Sequence, residues 1–480
     1  MNTVTRFTLL AAIVACGPSA NSGDDTSGPD AMRECSPEGS QRCLGSTFQT
    51  CTDGAWVTGL DCPLVCVDTL GCVQCTPGAM FCKDSNVWAC DQSGNPGGVS
   101  HLCSGGNVCV DGACVDACAD AAASKSYIAC EYWAVDLDNV QEVLGAVPSF
   151  FACNDSLFGY GAGQAMSVAA CKKTSGGSSL PAYAGLCDPP SNSCPTNYTC
   201  TTETLCVLSA QTSPFAIVVS NPQSKDVHVT VTGPGGQMIN RTIQAGQVSA
   251  ILPQAGNTIP DQSVDGTFKG SKSYKVVSDL PIVAYQFNPL DNVDVFSNDA
   301  SLLIPRTAFD VDYYALSWAT LDRRTPAPGQ HSFHGYVTIV AWQDGTQVEV
   351  TPTAPTEASA MQVTLAAGVP VQFTLNAHEV LQLQASGTGD LTGTHITSPN
   401  MMSFGVFGGH EAAQYGETTP PDLNHTSLCC ADHLEEMLFP STTWGKAFAI
   451  ARSKKRTNEP DVLRVLAQKA GTDLKPLVIL

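Results

Sequence analysis

The chain has 480 residues, of which 14% are charged, with 23 Lys plus Arg against 44 Asp plus Glu and a net charge of -21. That length calls for two or three cores rather than one, and the acidic balance excludes nucleic acid as a partner and disfavours adhesion to anionic headgroups. Of 23 cysteines, 20 lie between Cys35 and Cys206, flanked by an isolated Cys16 and an adjacent pair, Cys429 and Cys430; such density implies disulfides formed in an oxidising compartment.

At the N-terminus, Met1-Asn-Thr-Val-Thr-Arg6, the apolar run Phe7 to Ala15 and the tetrapeptide Ile13-Val-Ala-Cys16 read together as a bacterial lipoprotein export signal over 1–16. The apolar run is too short to span a bilayer, and small residues precede the cleavage point. In this reading Cys16 becomes the lipidated first residue, its acyl chains are the membrane contact, and Gly17 directs the chain to the outer membrane and the cell surface. An ordinary signal peptide, with a periplasmic or secreted product, is the alternative. Residues 17–34, rich in Ser, Gly, Asp and Pro, read as a flexible tether.

Two cysteine-rich modules follow, at 35–74 and 75–118. Cys35, Cys43, Cys51, Cys62, Cys66 and Cys72 are echoed by Cys75, Cys82, Cys90, Cys103, Cys109 and Cys114, and Trp56 and Trp88 accompany the third cysteine of each set. Units this small need cross-links in place of a core, so these cysteines are read as structural disulfides of open connectivity. Cys72-Val-Gln-Cys75 offers a zinc pair as the competing reading, but it straddles the two repeats. Further cysteines to Cys206 mark a loop-rich, cross-linked insertion near 145–212.

From Phe215 the pattern changes to short runs of Val, Ile, Thr and aromatics broken by Gly, Pro, Asn or Asp. That pattern predicts an all-β region of repeated sandwich-like units, with propeller-like blades as the alternative. Val227-His-Val-Thr-Val-Thr is matched by Val348-Glu-Val-Thr-Pro-Thr, and the stretch from Tyr274 by the stretch from Thr394, at an offset of about 120 residues. Units are expected near 213–320 and 335–440. An incomplete third opens from 459, where Val462-Leu-Arg-Val-Leu and Gly471-Thr resemble Val337-Thr-Ile-Val-Ala and Gly345-Thr. The one helix expected in this region runs from Asp432 to Leu438, capped by Asp432.

Ser278-Asp-Leu-Pro-Ile-Val-Ala-Tyr-Gln-Phe-Asn-Pro289, Ser297-Asn-Asp-Ala-Ser-Leu-Leu-Ile-Pro305, Tyr313-Tyr-Ala-Leu-Ser-Trp318, Phe407-Gly-Gly-His410 and Asp432-His-Leu-Glu-Glu436 together resemble the N-terminal domain of the IgGFc-binding protein family. Tyr127-Ile-Ala-Cys-Glu-Tyr-Trp-Ala-Val-Asp-Leu-Asp-Asn139 resembles the segment that opens it, so the resemblance covers about 125–480. It implies an extracellular, non-catalytic interaction module, without implying that antibody is the ligand. Family members often carry a cysteine soon after Gly-Gly-His; Glu411 to Asn424 has none.

No phosphate-cradling loop, nucleophile elbow or dinucleotide fingerprint occurs, and no catalytic group, cofactor or transition metal is expected. His410 lacks the second histidine of a zincin helix, and Cys429 and Cys430 are read as structural disulfide candidates. Asp291, Asp294 and Asp299 are weak calcium candidates, since their spacing fits no EF-hand and Asp favours turns. Tyr313, Tyr314, Trp318 and Trp342 are candidate contacts for an extracellular protein or glycan. The rival reading is an exported hydrolase with an acidic site among Asp291 to Asp312.

Overall fold

The computed structural model describes residues 35–124, 126–146, 164–175, 182–187, 194, 196–291, 295, 297–321, 332–358, 363–414, 431–451, 454 and 462–473. Cys16, the tether, Asp294, Cys429 and Cys430 lie outside them. The chain divides into two compact units, the first built from Met1–Lys83, Val87–His101 and Asp111–Ala113, the second from the remainder. Among the described residues no helix is long and apolar enough to cross a membrane.

In the cysteine-rich part, Gln41–Leu44, Thr47–Thr52 and Ala55–Asp61 form one small antiparallel sheet, and Met80–Lys83, Asn86–Cys90 and Pro96–His101 form another. Their buried apolar residues are mostly cysteines, as expected where cross-links replace a core. The bonds are Cys35–Cys51, Cys43–Cys66 and Cys62–Cys72, then Cys75–Cys90 and Cys103–Cys114. Cys82 and Cys109 are disulfide-bonded too. First-to-third and fourth-to-sixth pairing thus recurs in both modules, and Cys72 and Cys75 belong to separate disulfides. Each module's tryptophan carries a cation on its face: Arg42 lies 4.2 Å from Trp56 and Lys83 4.8 Å from Trp88.

The second unit contains the single α-helix found among the described residues, α1 (Ala117–Ser124), which the strand-rich sequence reading missed. Its run of alanines favours helix, and Asp116 Oδ1 accepts the Ala119 amide at its start. Cys118–Cys130 ties it to β1 (Ala129–Val135). The insertion is more regular than a loop-rich stretch: Gln141–Ala146, Gln164–Lys173, Tyr183–Leu186 and Tyr198–Ser209 form a four-stranded sheet, cross-linked by Cys171–Cys194 and Cys187–Cys200.

The first sandwich continues with β2 (Ala216–Ser220), β3 (Val227–Thr232), β4 (Met238–Ile243), β5 (Val248–Ile251), β6 (Phe268–Ser271), β7 (Ser273–Asn288) and β8 (Asp299–Leu302). The long β7 serves two halves, pairing early with β3 and β1 and late with β2 and β8. Alternate residues from both halves, among them Val229, Val231, Ile217, Val219, Val276 and Ile282, share one core.

The second sandwich repeats this with β9 (Asp312–Tyr314), β10 (Gly335–Val340), β11 (Thr346–Thr351), β12 (Val371–Leu375), β13 (Glu379–Gln384), β14 (His395–Thr397), β15 (Gly405–Ala413) and β16 (Asp432–Met437). Here two sheets are separate, β9-β14-β11-β12 and β6-β13-β10-β15-β16. The counterpart of β7 is broken into β14 and β15 around Pro399 and Met401, whose φ is 59°. Burial alternates identically along β3 and β11, the mark of equivalent strands facing equivalent cores. The units are therefore sandwiches, not propeller blades.

The five-stranded sheet is buried on both faces. Val337, Ile339, Leu381, Leu383 and Val406 face the four-stranded sheet, whereas Tyr336, Val340, Val380, Phe407 and Met437 join the core of the first sandwich. Asp432–Met437 is a strand, not the helix expected there. Leu434 and Met437 carry a helical spacing, but the strand buries His433, Glu435 and Met437, a choice imposed by its two neighbours.

Candidate functional site

Four of the sequence motifs meet at one cleft of about 340 Å³ at the open edge of the second sandwich. Leu316, Ser317 and Trp318 form one wall, Gly408 and Gly409 of β15 the base, and Leu434, Glu435 and Glu436 of β16 the other wall with Asp299 of β8. Val462 and Arg464 close part of the opening.

The glycines are required by a close backbone crossing. A Cβ on Gly408 would stand 1.9 Å from the Leu316 carbonyl oxygen, and one on Gly335 1.9 Å from that of Trp318. The crossing segment therefore lies flat on β10 and β15, and Ser317 Oγ donates to the Gly409 carbonyl at 3.0 Å. Trp318 donates through Nε1 to the Gln414 carbonyl at 3.3 Å, and the Arg464 guanidinium sits 5.1 Å from its ring. Arg464 in turn pairs with Asp390 at 2.6 Å and donates to the Ser317 carbonyl.

A second device fixes the acidic wall. β16 is an edge strand, and its outward amides are met by side chains rather than by another strand. Ser297 Oγ accepts from His433 at 2.8 Å, Asp299 Oδ2 from Glu435 at 2.8 Å, and Ser301 Oγ from Met437 at 2.7 Å. The alternation of Ser297, Asp299 and Ser301 is the strand period, so one face of that segment meets every second amide. Asp299 Oδ1 also accepts the Ala300 amide. Asp291 lies exposed in a bend.

Burial biases two histidines, His410 and His433, towards the neutral ring. His410 Nδ1 accepts the Ala412 amide at 3.0 Å, which leaves Nε2 to donate to the Ala319 carbonyl at 3.1 Å. Burial pushes its pKa down to about 3. His433 is likewise lowered by burial, and its Nε2 stands 3.7 Å from Glu435 Oε2. Glu435 is held well above the usual carboxylate range by burial and by Asp299. At the mouth, the more exposed Glu436 is pushed up to about 7 by partial desolvation and then by Asp299.

Behind the cleft, a layer of buried polar side chains joins the two sandwiches. Asp138 Oδ2 accepts from the Gly266 amide at 3.0 Å, from Gln382 Nε2 at 2.9 Å and from Gln384 Nε2 at 2.7 Å. Gln384 Nε2 also donates to Glu411 Oε1 at 2.6 Å. Burial, then Glu411, raises the Asp138 carboxyl; burial, then Asp261, raises that of Asp136. Gln286 joins β7 to the partner sheet by donating to Glu435 and to the Val135 carbonyl. Sequence reading missed Asp136, Asp138, Gln286, Gln382, Gln384 and Glu411, because hydropathy assigns acids and amides to the surface.

The candidate contact residues separate. Trp318 lines the cleft, whereas Tyr313 is core, its hydroxyl donating to the Phe404 carbonyl at 2.9 Å. Tyr314 stacks on His395 at 4.4 Å, and Trp342 donates to the Ser403 carbonyl beneath Arg306. Among the described residues the sulfurs of Cys171, Cys187 and Cys194 also converge, but all three are taken up in disulfides.

The second sandwich thus carries a cleft with a close-packed backbone base and an acidic wall. Residues 299–476 match the family model described as IgGFc binding protein. The match takes in β8 to β16 and the 462–473 segment. No curated protein and no solved structure matches the chain.

Proposed function

We propose that this chain is an exported, non-catalytic binding or adhesion protein, anchored at the bacterial outer membrane by acyl chains on Cys16. The disulfide modules act as a stalk, and the sandwiches present the cleft to an extracellular protein or glycan. The observation that carries the reading is the convergence of segments within the family match on a cleft whose Gly408, Gly409 and Ser317 are committed to holding its shape. The test is binding of the purified ectodomain to immunoglobulin Fc, a glycan array and cell-wall fragments, with Trp318→Ala as the control. Binding weakened about tenfold or more by that change supports the reading, and failure to bind any probe sinks it. Labelling of intact cells with a membrane-impermeant reagent, lost to the medium in Cys16→Ala, tests the anchor.

A hydrolase is the second reading, favoured by one observation. Asp299 and the raised Glu436 line the same cleft. Screening glycosides and peptides for turnover abolished by Glu436→Gln checks it.

A further inference from the structure

The cleft has an internal occupant. Residues 462–466 close part of its opening with alternate side chains turned inward: Val462 lines the cleft, Arg464 lies over Trp318, and Leu466 packs against Gly393. The intervening Leu463 and Val465 are each 49% exposed. Among the described residues, no backbone hydrogen bond ties 462–467 to the rest of the chain. Side chains alone hold the segment, and the polar anchor among them is the Arg464 guanidinium. It pairs with Asp390 at 2.6 Å, donates to the Ser317 carbonyl and covers the Trp318 ring.

The groups that receive the guanidinium are set in place by other partners. Asp390 Oδ1 accepts the Thr392 amide at 2.8 Å, while Oδ2 meets Arg464. Thr392 Oγ1 donates to the Ser317 carbonyl and accepts the Ser317 amide, both at 3.0 Å. Trp318 Nε1 is bonded to the Gln414 carbonyl at 3.3 Å. A carboxylate oxygen, a carbonyl oxygen and an aromatic face, each oriented independently of 462–466, match the planar fork and flat face of a guanidinium; an ammonium meets only part of that set. The site therefore stands with the segment detached. A segment with no main-chain tie and two apolar side chains in water is also among the first to detach.

We infer that Arg464 is a latch, holding 462–466 over the cleft as the internal occupant of a guanidinium site, and that the cleft's partner is a protein presenting an arginine between apolar residues. The inference rests on the cleft being the binding site proposed above and names what enters it. The occupant in place supplies the argument, since the site already holds an arginine flanked by Leu463 and Val465. The partner's arginine displaces Arg464 and takes its contacts with Asp390, the Ser317 carbonyl and Trp318. A net charge of -21 on the chain favours the approach of such a cationic segment.

The test uses the whole chain and a labelled synthetic peptide with the sequence of Val462–Lys469, its binding read by fluorescence anisotropy. The Arg464→Ala chain, its latch released, should bind the peptide one to one and at least about tenfold more tightly than the parent chain, whose site is filled. Arg464→Gln, which keeps a stem over Trp318 and loses the charge, is the second variant and should do the same. Adding Asp390→Asn to either variant, or placing lysine at the peptide's Arg464 position, should weaken binding about tenfold or more. Equal binding by parent and both latch variants overturns the inference, as does failure of both variants to bind or equal binding of the lysine peptide. Trp318-dependent binding of glycans or cell-wall fragments without peptide binding would overturn it too, yet leave the proposed function standing; failure of every ligand would sink both.

Discussion

Asp299 and Glu435, 136 positions apart in sequence, are joined by a 2.8 Å hydrogen bond from a backbone amide to a carboxylate. It is the centre of a three-rung ladder by which side chains of the first sandwich complete the edge of the second. Because an unsatisfied buried amide costs about 1–3 kcal/mol, Asp299→Ala should destabilise the chain by that order, and Asp299→Asn, which keeps an acceptor oxygen, by less. Urea unfolding of both variants checks this; equal losses would show that the charge, not the acceptor, matters.

The two sandwiches carry the same tyrosine tether. Tyr132 Oη accepts the Ala129 amide and donates to the Ile282 carbonyl, and Tyr313 Oη accepts the Asp310 amide and donates to the Phe404 carbonyl. Each hydroxyl thus serves an amide three residues upstream and a carbonyl across the strand. Tyr132→Phe and Tyr313→Phe should each lower stability by about 1–3 kcal/mol. The tethers share no partner, so the double variant should lose about the sum. A double variant no less stable than either single one would show that the two units do not unfold together.

The glycines of the cleft make a steric prediction. Gly408→Ala places a methyl group 1.9 Å from the Leu316 carbonyl oxygen, a backbone atom that cannot swing aside. The crossing segment must lift, taking Ser317 and Trp318 with it, at a cost of about 1–3 kcal/mol. Trp318 fluorescence and thermal melting should both shift. Gly387→Ala is a poor control despite its open surroundings, since its φ of 62° disfavours a side chain; Gly445 serves better, having ordinary contacts and no such constraint.

The repeat and its sandwich class were legible in the sequence because alternation in Val227-His-Val-Thr and Val348-Glu-Val-Thr reports a half-buried strand directly. The Gly-Gly motif was legible as a pattern, but its cause lies in a segment some 90 positions away, in Leu316. β16 was not legible. Two of its three inward residues, His433 and Glu435, are polar, so the apolar pair Leu434 and Met437 imitates a helix although only Met437 faces inward. The layer around Asp138 was hidden for the same reason: a polar side chain satisfied by Gln382 and Gln384 looks, in sequence, like one satisfied by water.

That layer sets the dependence of stability on pH. Burial holds Asp136, Asp138 and Glu435 well above the usual carboxylate range, so above about pH 4 the fold keeps protons that the unfolded chain has released. Their contribution is complete below the unfolded value and is lost as pH rises through the folded one. Glu436, at about 7, loses its share between about 4.5 and 7. His410 acts in the opposite sense: lowered to about 3, it stays neutral in the fold while the unfolded chain takes up a proton below about 6.5, so stability falls as pH drops through that window. The four raised carboxyls outweigh His410, so the melting temperature should be highest near about pH 4 to 5 and decline towards pH 8, most steeply above about 6.5, where only the acids still act. Asp138→Asn removes one titrating group while leaving an oxygen to accept from Gln382 or Gln384, so its decline between pH 6.5 and 8 should be shallower than that of the parent chain. Parallel declines would mean that Asp138 is ionised in the fold and that its three donors, together with Gln384's reach to Glu411, outweigh the burial.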